Sequence, residues 1–304
     1  MLDVFLNVTM PVFLVAIIAA GFQRWRKIPV GPVNQITLYL LTPALIFTLL
    51  VQQRIPASAS VRIVGAMVVT TALIMVISVL LSKVLRHDRA MGGAFMLSTA
   101  FPNAGNLALP VLLLAFGEEG LAVGVIVFVT QAIMGQSLGV FIAAGSQMNR
   151  MESLKQVFKL PAIYGIIAAL LVRLLGVELP FVILQPIKLL SQAAIPVMLV
   201  VLGCQLAGEL RLDSLLSLAA ALLVRLVVSA PLAYGATLLF DLDALSQSVV
   251  VIVCAMPVAV FTTILATEFR ANPRFVTNAV VTSTLASTFT LTLVIPVVRS
   301  LIGG

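Results

Sequence analysis

The residues with the most chemical promise sit in one short stretch, FPNAGNLALP at positions 101–110. Pro102 removes a backbone donor and blocks a neighbouring helical bond. Gly105 loosens the chain, and Asn103 and Asn106 bring amides that can satisfy the backbone groups set free. With Ala104 between them, these residues read as a break in a helix. The second half of a broken helix presents unpaired N–H groups and a partial positive charge, which suits a carboxylate. A second stretch, CAMPVAVFTT at 254–263, repeats the arrangement. Pro257 marks the break, the half-helix begins near Val258, and Thr262 and Thr263 follow about one turn on.

Other chemistries fit less well. GQSLG at 135–139 has the G-x-S-x-G form of a serine nucleophile elbow. That mechanism needs a base, and the one histidine, His87, lies in the charged loop RHDRA. The reading is therefore no enzyme. Cys204 and Cys254 both fall inside apolar runs, which argues against a disulfide framework or a zinc site and for packing. No metal site is expected.

The elements that must position these residues are lipid-crossing helices. Of 304 residues, 61% are hydrophobic and 10% charged, and the mean hydropathy is +1.19. A soluble domain is excluded. Apolar runs near 4–22, 33–51, 61–82, 90–116, 119–145, 160–177, 181–206, 214–240, 245–267 and 274–301 are each long enough to cross hydrocarbon, giving ten expected spans. The runs are continuous rather than alternating, which excludes a β-barrel. The start, MLDVFLNVTM, has no basic n-region, so the first span is expected to be retained.

The net charge of +7 reports topology rather than nucleic-acid binding. Arg24, Arg26, Lys27, Lys83, Arg86, Arg89, Arg150, Lys155, Lys159, Arg211, Arg270 and Arg274 follow odd-numbered spans. Arg54, Arg62, Arg173, Lys188 and Arg299 fall on the other side. The excess of basic loops marks the cytoplasmic face, so both termini are expected to be non-cytoplasmic, in a multi-pass protein of the cell inner membrane.

Residues 146–159 form a polar cytoplasmic linker that leaves five spans on each side, in segments 1–145 and 160–304. A five-span unit that is duplicated must enter the membrane inverted the second time. The prolines follow that plan: Pro11 answers to Pro161, Pro43 to Pro196 and Pro102 to Pro257, at offsets of 150, 153 and 155. Proline-interrupted spans at matching places in two halves point to the substrate site. The expected fold is all-α, with two inverted five-helix repeats and broken, crossing spans 4 and 9.

FPNAGNLALP resembles the F-x-N-x-G-F-x-G-x-P signature of the auxin efflux carrier family, whose bacterial members include malate and malonate permeases. The likeness continues through LYLLTPALIFTLL (38–50), AAIPVMLVVLGCQL (193–206), RLVVSAPLAYG (225–235) and VTSTLASTFTLTLVIP (281–296). The resemblance implies a fold like that of bile acid sodium symporters. Spans 1, 2, 6 and 7 would form a panel domain, and spans 3–5 and 8–10 a core domain. It implies a carrier of small organic anions working by alternating access, and a homodimer as the assembly. The chain departs from the signature at Asn106 and Ala108, which makes the crossover more polar.

Among the other intramembrane polar residues, Gln131 and Thr42 are expected to face a ligand. Gln136, Gln192, Gln205, Asn278, Thr282, Ser283 and Thr284 more often bond their own or neighbouring helices. Arg225, well inside span 8, reads equally as functional or structural. No carboxylate lies within a span, so no cofactor is expected and coupling to Na+ or H+ stays undetermined. A sodium-coupled symporter of other organic anions and an anion channel remain the alternatives.

Overall fold

The computed structural model describes residues 2–52, 55–144, 160–176, 179–208 and 213–302. The expected linker 146–159 and the basic residues Arg54, Arg150, Lys155, Lys159 and Arg211 lie outside the described residues. Among the described residues, seven helices are long and apolar enough to cross a membrane. They are α1 (Leu2–Arg26), α2 (Val30–Gln52), α3 (Ala57–Val84), α5 (Ala108–Ala144), α7 (Phe181–Leu206), α8 (Leu215–Leu239) and α11, which spans Pro273–Ile302. Shorter helices complete the described chain: α4 (Arg89–Ala100), α6 (Pro161–Leu175), α9 (Ala244–Cys254) and α10 (Phe261–Glu268).

Ten apolar runs thus give seven helices of crossing length, for a local reason. The run at 90–116 is broken between α4 and α5, and the run at 245–267 between α9 and α10. The third, α6, has 15 residues. Within α5 a further break falls at Gly117, with φ 65° and ψ −158°, a conformation open essentially to glycine alone. It separates 108–116 from 118–144.

Helix ends follow capping rules. Asp88 starts α4 by accepting a hydrogen bond from Met91 N at 2.7 Å. Asp243 does the same for α9 through Ser246 N at 3.0 Å and Ser246 Oγ at 2.7 Å. Pro43 has no N–H to give to the turn before it, and there the helix widens to a π-helical turn over Thr37–Leu41.

The helices pack in two sets. In the first, α7 lies along α1 and α2, and α6 lies along α2. Glycines permit the close approach: a Cβ on Gly203 would strike the main chain of Ala16, and one on Gly165 the main chain of Pro43. In lipid such small-residue contacts supply van der Waals packing where no hydrophobic drive exists between helices. In the second set, α3, α4, α8, α9 and α11 pack on one another, and the buried strand-like breaks sit among them. Outward-facing side chains such as Ile17, Leu174, Val182 and Phe289 are apolar and exposed, as a hydrocarbon surround requires.

Candidate functional site

The two breaks meet. Pro102 and Val258 form an antiparallel bridge. Asn103 N donates to Pro257 O at 2.7 Å, and Ala259 N donates to Phe101 O at 2.9 Å. Each proline-broken helix thereby satisfies backbone groups of the other, and such non-helical backbone is tolerated at membrane depth only when buried in protein or facing a cavity. From the side, Ser283 Oγ accepts from Val258 N at 3.0 Å.

The bridge leaves backbone donors beside it unpaired. Among the described residues, the amides of Gly105, Asn106 and Leu107 at the start of α5 have no acceptor, nor do those of Val260 and Phe261 at the start of α10. Both N-terminal ends adjoin a cavity of about 350 Å³. Its crossover wall is Pro102, Asn103, Ala104, Gly105, Asn106, Ala259, Val260 and Phe261. The opposite wall comes from Leu38 and Thr42 of α2 and Met198 and Gln205 of α7, with Phe128, Gln131 and Gln136 of α5 along the side. Glu268 and Asn34 stand at the far end, and among the described residues Glu268 is the one charged residue of the lining.

Three buried side-chain atoms around this cavity have no partner: Asn103 Nδ2, Gln131 Oε1 and Gln205 Oε1. Asn103 is only 4% exposed, so an unmet donor there is costly until something accepts from it. Gly105 is pressed by the Phe128 ring, 3.0 Å from where a Cβ would stand.

The structure brings Pro102, Asn103, Ala104, Gly105, Asn106, Gln131 and Thr42 to the cavity. It does not bring Pro257, Val258 or Thr262 into the lining. The first two are spent on the bridge and its brace, and Thr262 is fully buried with its hydroxyl donating to Ala259 O at 2.6 Å. The wall contributed by the second break begins one residue later, at Ala259. Two expectations of detail also change. Thr42 Oγ1 donates to Thr37 O at 2.8 Å, filling the place opened by the π-helical turn. Gln131 gives its Nε2 to Thr71 Oγ1 at 3.2 Å, so only its oxygen is left over. Phe128, Phe261 and Met198 also line the cavity and are not distinguishable in the sequence, because a large apolar side chain in an apolar span carries no signal of what it faces.

The serine of GQSLG is occupied otherwise: Ser137 Oγ donates to Ile133 O at 2.8 Å. His87 Nε2 is bonded to Ser217 Oγ at 2.8 Å, on α8. Among the described residues no three His, Cys, Asp or Glu side chains gather.

An all-helical, multi-pass chain with paired breaks around a cavity that carries a few amides is the build of a membrane transport protein. The profile of the family described as membrane transport protein (Mem_trans) matches residues 5–153 and 145–295, and the chain belongs to that family. The chain is 24% identical over 269 residues to an uncharacterized transporter of Methanocaldococcus jannaschii, covering 86% of this chain and 87% of that one. It is 25% identical over 262 residues to an uncharacterized transporter of Methanothermobacter thermautotrophicus, covering 86% of each.

Proposed function

We propose that the protein carries small organic anions, carboxylates above all, bound at the crossing of the two breaks and moved by alternating access. The observation that carries this reading is the convergence of two helix N-termini on one cavity, with the unpartnered Asn103 Nδ2 buried beside it. An anion there meets up to about 2 kcal/mol from each helix end and about 1.5–3 kcal/mol from a charge-assisted bond to the amide. Set against the costs of association, that gives affinities nearer millimolar than nanomolar, which lets a carrier release its load.

The ten-span plan with inverted repeats belongs to the same reading. α4 with 108–116 counts as one discontinuous span and α9 with α10 as another, while 118–144 and the short α6 complete the set. The packing of α1 on α7 and of α2 on α6 is what an exchange of the two halves would produce. α1, α2, α6 and α7 serve as the panel, and the remaining helices as a core that slides against it in an elevator-like motion, as in a bile acid symporter-like fold. With the basic loops cytoplasmic and both termini outside the cell inner membrane, the cavity runs from the crossover toward the cytoplasmic ends of α2, α7 and α10. This is an inward-facing state. No organic cofactor enters the scheme, and a homodimer is the assembly the family resemblance implies.

The test is a thermal-shift screen of purified protein against mono- and dicarboxylates, with and without Na+ and at two pH values, followed by counterflow in proteoliposomes. A bound ligand raises apparent stability. A carboxylate that stabilises the protein and shows saturable counterflow supports the carrier, and dependence on Na+ or pH names the driving ion. Unsaturable flux without counterflow would mean a channel, and no carboxylate response would sink the reading.

A further inference from the structure

The last carbonyls of α4 and α9 face the same problem at the same place. The C-terminal end of a helix leaves carbonyls unbonded and carries a partial negative charge. Both helices stop at the crossover, where no water-filled surface serves them. Arg225 of α8 is 0% exposed and lies between them. Its Nη1 donates to Thr99 O at 2.7 Å and its Nη2 donates to Cys254 O. Thr99 is the residue before the last of α4, and Cys254 is the last of α9.

We propose that Arg225 is a clamp: one guanidinium fork joins the C-terminal ends of the two half-helices and fixes how their partners α5 and α10 aim into the cavity. Arg225 does not line that cavity. It is a positioning residue. A planar fork with fixed donors can span two carbonyls from different helices, whereas the compact ammonium of lysine acts as a point charge. Among the described residues no carboxylate pairs with it, so the two helix C-termini supply the compensating negative charge.

The surroundings are built to hold it. Arg225 sits in a π-helical turn, Val224–Val228, with Ser229 Oγ donating to Val224 O at 2.7 Å. On the acceptor side, Thr99 is tied to α3 by the 2.7 Å contact between its hydroxyl and that of Ser78. From the opposite side, Ser283 of α11 braces Val258. The pairing of the two breaks is thus enclosed by α3, α8 and α11. Its effect on binding rests on the crossover being the substrate site, but the clamp itself does not.

The experiment is amide hydrogen exchange by mass spectrometry on purified full-length protein, comparing wild type with Arg225→Met and Arg225→Lys. Segments 101–109 and 255–263 report on the bonds given by Asn103 N and Ala259 N, and peptides from α1 and α7 serve as controls. Losing two charge-assisted bonds lowers the local cost of opening, so both segments of Arg225→Met exchange about tenfold faster or more while the controls stay as in wild type. Arg225→Lys reaches one carbonyl and restores protection to one segment only. Wild-type exchange in both segments, or equal acceleration in the controls, overturns the clamp. If Arg225→Met gives no monodisperse protein, the lysine variant decides. Exchange at least about threefold faster in one segment supports the clamp, and wild-type exchange in both overturns it. Carboxylate thermal shifts on the same wild-type sample separate the two claims: no response there sinks the substrate reading and leaves the clamp standing.

Discussion

Replacing Asn103 by alanine should move stability and binding in opposite directions. The backbone of Asn103 does the structural duty, with its N–H on Pro257 O at 2.7 Å and its carbonyl accepting from Ala108 N at 3.1 Å. Alanine keeps both. What it deletes is the side-chain amide, both Oδ1 and Nδ2, the latter a buried donor with no partner. Removing an unsatisfied buried polar group recovers part of its desolvation cost, which is about 1–3 kcal/mol, offset by the small void left behind. The unliganded variant is therefore expected to unfold at the wild-type midpoint or above it. A bound carboxylate, by contrast, loses a bond of about 1.5–3 kcal/mol, an affinity drop of about 10- to 150-fold. The assay is a thermal-shift titration with whichever carboxylate stabilises wild type most, run beside counterflow. A variant that keeps the wild-type ligand response would refute the role given to the side chain. One that loses more than about 2 kcal/mol of unliganded stability would show that Asn103 is structural after all.

Two further outcomes test the scaffold. Gly203→Ala should lower stability by about 1–3 kcal/mol, and the thermal midpoint with it, despite alanine's better helix propensity, because its Cβ meets the Ala16 main chain. Gly21→Ala, with nothing within 4 Å of the added carbon, should be neutral or stabilising, and equal effects at the two sites would contradict the packing. In the loop before α4, burial pushes the His87 pKa below its ordinary 6.5, against the opposing pull of Asp88. The unfolded chain then binds the proton more readily, so this contribution is present above about pH 6.5 and is lost as pH falls through the folded value. His87→Gln should flatten the dependence of unfolding midpoint on pH just below 6.5, and an unaltered slope would remove His87 as its source.

Proline and glycine made the breaks legible in the sequence, because Pro102, Gly105 and two asparagines fall within five residues and Pro257 stands at the matching place in the second half. The reversal at Gly117 was equally visible, because Glu118 and Glu119 interrupt the apolar run. The exact boundary of the site was not. Which residues after Pro257 face the cavity depends on the register of the bridge to the other break, a tertiary pairing with no local signature. Hydroxyls were ambiguous for a related reason: Thr42 and Thr262 each have a carbonyl a few residues back along the chain within reach. Arg225 stands out in the sequence as a charge out of place, yet its partners are main-chain oxygens, which every residue possesses and no sequence can single out.

The reciprocal bonds between the breaks also bear on how the protein is made. Asn103 and Phe101 wait for acceptor and donor groups at Pro257 and Ala259, about 150 residues further along the chain. At about 5–20 residues per second, the ribosome takes roughly 10–30 s to supply them. During that interval the first half sits in the bilayer with its polar backbone uncovered, in need of water or a chaperone to shield it. An amino-terminal half expressed alone never receives its missing partners and should be a substrate for membrane proteolysis.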